Sequence, residues 1–252
     1  MLSLHELSGY LHGFLRCAEI ADYAPNGVQV GGREEVFRLA TGVSACMDLF
    51  RAAQDWQADL ILVHHGLFWN KEPRVVTGHL RERLKFLLEN DLTLMAYHLP
   101  LDCHPEVGNN AVLARLLELE PGKPFGRYQG TDLSRLGHWP TGLGIEAAAE
   151  RLAAVCGGQP LVLPFGPPLI RTVALCSGAA PELIREAREA GADLFISGEA
   201  TEYLFHYARE EGIHFMAAGH HRTERFGVQA LGAHLAERFA LEHRFIDIFN
   251  PI

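Results

Sequence analysis

Leu39-Ala-Thr-Gly-Val-Ser-Ala-Cys-Met-Asp-Leu-Phe-Arg-Ala-Ala-Gln-Asp-Trp-Gln-Ala-Asp-Leu-Ile-Leu62 is the stretch that decides the fold. Its start continues an apolar run from Phe37 to Val43, and its end opens another from Leu60 to Val63. Between them, Met47 to Trp56 places apolar residues at helical spacing. A strand, a helix and a second strand follow from this pattern, and short apolar runs alternating with helical stretches indicate a parallel or mixed sheet covered by helices. The same unit recurs without a gap as Val173-Ala-Leu-Cys-Ser-Gly-Ala-Ala-Pro-Glu-Leu-Ile-Arg-Glu-Ala-Arg-Glu-Ala-Gly-Ala-Asp-Leu-Phe-Ile196. Matched pairs include Ala40/Ala174, Leu49/Leu183, Arg51/Arg185, Ala53/Ala187, Ala58/Ala192, Asp59/Asp193 and Leu60/Leu194. Further on, Leu94-Met-Ala96 recurs as Phe215-Met-Ala217. An internal duplication of one α/β unit is therefore expected. It would set the C-terminal ends of corresponding strands across one cleft, and ligands bind at such ends in α/β sheets.

Working outward, the pattern predicts a helix over Leu80–Glu89, a strand over Leu92–Tyr97 and a helix over Asn109–Glu118. In the second half it predicts helices over Ala147–Val155, Pro181–Ala190, Tyr203–Glu210 and Arg225–Phe239. Strands are predicted at Thr172–Leu175, Leu194–Ile196 and His214–Ala217, with a closing strand at Arg244–Phe249. The expected class is α/β: two similar halves with mixed sheets, spanning residues 1–125 and 126–252, the last strand being free to return to the first half. The stretch Pro121 to Pro140, rich in Gly and Pro, is expected to connect the halves.

Composition narrows the function. The chain of 252 residues has 48% hydrophobic and 21% charged residues, ordinary values for a globular protein. Its net charge of −9 argues against a nucleic-acid partner. No apolar run is long enough to span a membrane, and the N-terminus lacks the basic region of a secretory signal, so a cytoplasmic location is expected. The five cysteines are odd in number and never spaced Cys-x-x-Cys, which argues against a disulfide framework or a zinc ribbon.

The chemistry-bearing residues cluster at strand ends. His64-His65-Gly66 closes an apolar strand; adjacent strand side chains point to opposite faces, so both imidazoles reach one site only if the chain leaves the strand there. His98-Leu-Pro-Leu-Asp102 follows the next strand, and Pro100 predicts a loop. His220 and Glu224 are spaced to share one face of a helix. Glu199 occupies the duplicate of the His64-His65 position, as a base or as a partner to a ligand. Arg222 and Arg225 are candidates to receive a phosphate. Imidazoles and carboxylates in this number exceed a tetrahedral structural zinc site and suit two divalent metals, of which zinc, iron, manganese and nickel all accept such ligands.

Asn26-Gly-Val-Gln-Val-Gly31, Val63-His-His-Gly-Leu-Phe68, His98-Leu-Pro-Leu-Asp102, Gly108-Asn-Asn110, Ser197-Gly-Glu199 and Gly219-His-His-Arg-Thr-Glu-Arg225 together resemble the Nif-three-like family, whose members are commonly called GTP cyclohydrolase 1 type 2 homologues. The resemblance runs in order along nearly the whole chain and is to the short bacterial form. It implies a dinuclear metal centre in the cleft between the halves, with His64, His65, Asp102, His220 and Glu224 as ligands. It also implies a toroidal homohexamer. His98 and Glu199 are the candidates to move protons on a small-molecule substrate such as a purine nucleotide, in a metal-dependent hydrolysis. A non-enzymatic metal-binding or regulatory scaffold is the alternative. Cys103 stands where the family pattern leads one to expect a small residue, and its thiol is a candidate extra ligand or oxidation-sensitive group.

Overall fold

The computed structural model describes residues 2–252, which form two compact units. The first unit comprises the chain up to Gly108 together with Gly227–Phe249; the second comprises Asn109–Phe226 and Asn250–Ile252. In chain order the first unit contains β1 (Leu2–Ser3), α1 (Leu4–Phe14), β2 (Gly27–Val30), β3 (Glu35–Val36), β4 (Arg38–Ser44), α2 (Met47–Asp55), β5 (Leu60–His65), α3 (Gly78–Glu89), β6 (Thr93–Ala96) and α4 (Leu99–Asp102). The second contains α5 (Asn109–Leu116), β7 (Glu120–Tyr128), β8 (Thr131–Leu143), α6 (Ile145–Cys156), β9 (Leu161–Pro164), β10 (Ile170–Cys176), α7 (Ile184–Glu189), β11 (Leu194–Ser197), α8 (Leu204–Glu211) and β12 (His214–Ala217). The chain ends with α9 (His220–Phe239), which passes from the second unit into the first, and with β13 (Glu242–Phe245).

The duplication is visible in the hydrogen bonding of each unit. The first unit's sheet runs β13-β4-β5-β6-β2, with β4, β5 and β6 parallel and β2 antiparallel to β6. The second runs β7-β8-β10-β11-β12-β9, with β10, β11 and β12 parallel and β9 antiparallel to β12. Leu39 faces Leu60 across β4 and β5, and the aligned Val173 faces Leu194 across β10 and β11. The matched aspartates share one task. Asp59 Oδ2 accepts from the amides of Phe37 (3.0 Å) and Arg38 (2.8 Å), and Asp193 Oδ2 accepts from those of Arg171 (2.8 Å) and Thr172 (2.9 Å). Each carboxylate thus satisfies strand-start donors that the ladder leaves open.

Two expectations are corrected. Residues 121–140 are not a loose connection but most of the β7–β8 hairpin, whose two-residue turn is Gln129-Gly130. Both turn residues have positive φ (41° and 93°), as a type I′ hairpin requires, and Pro121 and Pro124 are tolerated because β7 is an edge strand. His98–Asp102 is not a loop: His98 precedes the one-turn helix α4, and Pro100 sits in its first turn, where no intrahelical donor is lost.

Helix α1 adds an element that the sequence reading does not include. Its N-cap Ser3 accepts from the Glu6 amide at 3.2 Å, and Leu7, Leu11 and Leu15 are buried against Leu39, Leu60, Met95 and the α9 residues Val228, Leu231 and Leu235. Each such leucine contributes about 1.5–3 kcal/mol of burial, so this face suffices to hold the helix.

Candidate metal centre

The first unit brings three imidazoles together. His64 and His65 end β5, and His98 follows β6, so adjacent parallel strands deliver all three at their C-terminal ends. The ring centroids are 4.7 Å apart for His64–His65, 5.0 Å for His64–His98 and 5.8 Å for His65–His98. One donor atom from each lies within 4.8 Å of the others.

Each ring is held by its Nδ1. His64 Nδ1 contacts the Tyr97 carbonyl at 3.0 Å, His65 Nδ1 the Ser44 hydroxyl at 3.0 Å, and His98 Nδ1 the Asp22 carboxylate at 2.9 Å. A metal would therefore be met by Nε2, and His64 Nε2 already lies 3.4 Å from Asp102 Oδ2. Imidazoles held on the far nitrogen by carbonyl, hydroxyl or carboxylate are in the arrangement metal-binding histidines use. Nδ1-anchored imidazoles beside a buried carboxylate also match the ligand preference of borderline divalent ions, so the residues fit a metal.

Asp22 organises this side of the site. Its side chain is 4% exposed. Oδ1 accepts from His98 and from the Ala24 amide (3.1 Å), while Oδ2 accepts from the Leu99 amide (2.8 Å) and Asn26 Nδ2 (3.0 Å). Burial alone would raise its pKa, but the bonds from His98, Asn26 and Leu99 outweigh it and hold the carboxyl below its ordinary value. Asn26 Oδ1 in turn accepts from the His98 amide at 2.8 Å. Gly66 permits a close approach rather than a left-handed turn. A Cβ there would overlap the Gln29 amide group, whose oxygen accepts from the Leu67 amide at 2.7 Å.

The second unit supplies a smaller set. His220 and Glu224 lie one turn apart at the start of α9, which begins five residues earlier than its predicted start at Arg225. His220 Nε2 is 3.0 Å from Glu224 Oε2, and Nδ1 is 2.5 Å from Glu199 Oε1. Burial pulls the His220 pKa down, but Glu224 and then Glu199 outweigh it and push it up to about 9. The two carboxylates thus favour a cation at this position. Gly178, at φ +66°, makes room for the Glu224 carboxylate: a Cβ there would overlap Glu224 Oε1. Thr223 Oγ1 accepts from the Gly178 amide at 3.0 Å and fixes that loop to the helix.

Other residues take different roles. Arg225 donates to the Cys156 carbonyl at 2.9 Å, a structural bond. The Cys103 pKa is pushed up to about 12 by burial and by the Asp102 charge, and Sγ sits 3.8 Å from the Pro100 carbonyl. Burial and the neighbouring charge favour the thiol over the free thiolate and so disfavour a reactive nucleophile. Asp22, Ser44 and the Tyr97 carbonyl are absent from the sequence-based set of site residues. Asp22 is 76 residues from His98, and no local pattern signals that pairing.

The fold and these groups define a class: an α/β protein of duplicated architecture with histidine–carboxylate clusters at its strand ends. Residues 2–251 match the family model Duf34/NIF3 (NGG1p interacting factor 3). The chain belongs to the DUF34/NIF3 family. It is 48% identical over 238 residues, 94% of both chains, to a Pseudomonas aeruginosa protein named GTP cyclohydrolase 1 type 2 homolog. Among solved structures, it resembles the protein ybgI, described as of unknown function, with a TM-score of 0.95 and 42% identity over the full length of both chains. A Thermus thermophilus protein gives a TM-score of 0.92 and 38% identity over the same coverage.

Proposed function

We propose that this protein is a metal-dependent hydrolase acting on a small molecule, with a purine nucleotide such as GTP as the leading substrate class. The observation that carries the reading is the His64–His65–His98 cluster, three imidazoles each anchored through Nδ1, with Asp102 Oδ2 3.4 Å from His64 Nε2. The names of its relatives point the same way.

The proposed centre holds two divalent ions per chain, with His64, His65 and Asp102 contributed by one unit and His220 and Glu224 by the other. The sequence duplication and the family membership support joining the two sets. When bound, such ions supply Lewis acidity and stabilise developing negative charge. The protein's own groups do the rest. Asp22 fixes the His98 ring so that Nε2 is the atom that takes or gives a proton. Glu199 fixes His220 through Nδ1, and its carboxylate, still 39% exposed, is the second proton carrier. With GTP the reacting atom would be the imidazole carbon of the guanine. A homohexameric toroid and a cytoplasmic location complete the proposal; among the described residues no helix is long and apolar enough to cross a membrane.

The test is elemental analysis of protein purified without added metal, followed by turnover on a nucleotide panel before and after metal reconstitution. Close to two ions per chain, with turnover that disappears in Glu224→Gln, is the expected result. Two ions with no turnover on any nucleotide would favour the metal-binding scaffold; no more than one ion after reconstitution would overturn the dinuclear centre.

A further inference from the structure

Two aromatic side chains outside the proposed ligand set border the histidine cluster. Tyr23 lies 4.9 Å from His98, ring centre to ring centre, at 74°, and Trp69 lies 5.3 Å from the same ring at 84°. Trp69 is also 5.7 Å from His65, and the two aromatic rings are 5.9 Å apart with 33° between their planes. Both meet His98 edge-on, while Tyr23 remains 44% exposed.

This exposure is not that of a loose loop. The Asn70 amide donates to the Tyr23 carbonyl at 3.2 Å, tying the Trp69 segment to the Tyr23 segment. Leu67 is buried and Phe68 packs against the same core, which pins the chain just before Trp69. Asp22, next to Tyr23, is fixed by four donors. Two large aromatic groups are therefore held rigidly beside a polar cluster, one of them half in solvent. Core packing does not explain that placement, because an exposed ring forgoes much of its burial energy. A π-face held beside reacting groups is what a flat heterocycle stacks on, with little ordering cost when the wall is rigid.

We infer that Tyr23 and Trp69 form a stacking wall that recognises a planar nitrogen heterocycle and presents it to His65 and His98. The inference rests on the reading of that cluster as the reaction site and adds the groups that select the ring. It also implies that the ring, rather than a sugar or phosphate, supplies the discrimination on this side of the site.

The test uses the full-length protein with guanosine 5′-monophosphate and ribose 5-phosphate as probes, by calorimetric titration. The ring-bearing probe should bind saturably and quench tryptophan fluorescence, and the ring-free probe should bind at least about 10-fold more weakly, as expected for the loss of base–aromatic stacking. Trp69→Leu should weaken the first probe by a similar factor, leave the second unchanged and keep wild-type metal content; Trp69→Phe should recover most of the loss. Tyr23→Leu is the second variant should Trp69→Leu fail to fold. Equal binding of the two probes, no saturable binding of guanosine 5′-monophosphate, or unchanged binding in both leucine variants would overturn the wall. Ring-selective binding in a protein that takes up no metal would instead sink the hydrolase proposal and leave the wall standing.

Discussion

Replacing Asp22 by Asn tests whether the histidine cluster is built or incidental. The carboxylate accepts four hydrogen bonds, two on each oxygen, and is almost fully buried. Asparagine has the same shape but only one acceptor oxygen. In either amide orientation its NH2 group faces two donors: His98 Nδ1 and the Ala24 amide, or the Leu99 amide and Asn26 Nδ2. Two charge-assisted bonds are lost, each about 1.5–3 kcal/mol, and part of the loss is offset because no charge is buried any longer. The net cost is about 2–4 kcal/mol, which for a chain of this size is a fall in Tm of roughly 5–15 °C. The His98 ring, 5.0 and 5.8 Å from the proposed ligands His64 and His65 centroid to centroid, also loses its anchor and no longer holds those two rings in place, so metal affinity should fall about 10- to 100-fold. Thermal unfolding followed by circular dichroism reads the first effect, and competition with a chelating dye reads the second. Glu237→Gln, at an exposed position of α9, is the control and should change neither. An Asp22→Asn protein with the wild-type Tm and wild-type metal affinity would refute the argument that this carboxylate assembles the site.

Three further outcomes are expected. Glu224→Gln should lower the metal content measured by elemental analysis while circular dichroism shows an intact fold; the same content in Glu224→Gln as in Glu237→Gln would remove Glu224 from the centre. Gly178→Ala combines a left-handed backbone with a Cβ that would overlap the Glu224 carboxylate, whereas Gly191→Ala, at φ +81°, meets nothing within 4 Å. The first should cost about 2–4 kcal/mol in denaturant unfolding and the second only about 1–2, and equal costs would mean that Glu224 is not packed against Gly178. Burial pushes the Cys17 and Cys156 thiols up to about 11 from an ordinary 9.0. At pH 8 their alkylation, followed by mass spectrometry, should therefore be about 100-fold slower than in the unfolded chain and should rise with pH up to about 11; equal folded and unfolded rates would contradict that shift.

Much of the architecture is legible in the sequence because it is written in local periodicity. The β4–α2–β5 and β10–β11 units follow the ungapped alignment of 39–62 with 173–196, and the identity Asp59/Asp193 marks a shared strand-start bond. His214–Ala217 is a strand with the predicted limits, and His220 and Glu224 do lie one turn apart on a helix. The hairpin at 120–143 escapes a compositional reading because its Gly and Pro residues have a turn's composition, yet an edge strand tolerates both. Its own signal, Gln129-Gly130 between two runs able to pair, is present. Helix α1 is also signalled, by Ser3 three residues before Glu6 and by leucines four apart at 7, 11 and 15.

By itself the sequence determined which residue types are available to hold a metal and which strand ends carry them, because side-chain chemistry and strand or helix period are properties of neighbours along the chain. The tertiary structure alone decided which nitrogen of each imidazole is occupied. Tyr97, Ser44 and Asp22 reach the three rings from separate elements, and no short-range pattern encodes a partner 76 residues away. It also decided the surroundings of Cys103, where burial together with the Asp102 charge pushes the thiol pKa up to about 12. Desolvation and through-space charge depend on what surrounds a group in three dimensions, and that is the part of the chemistry a linear sequence does not display.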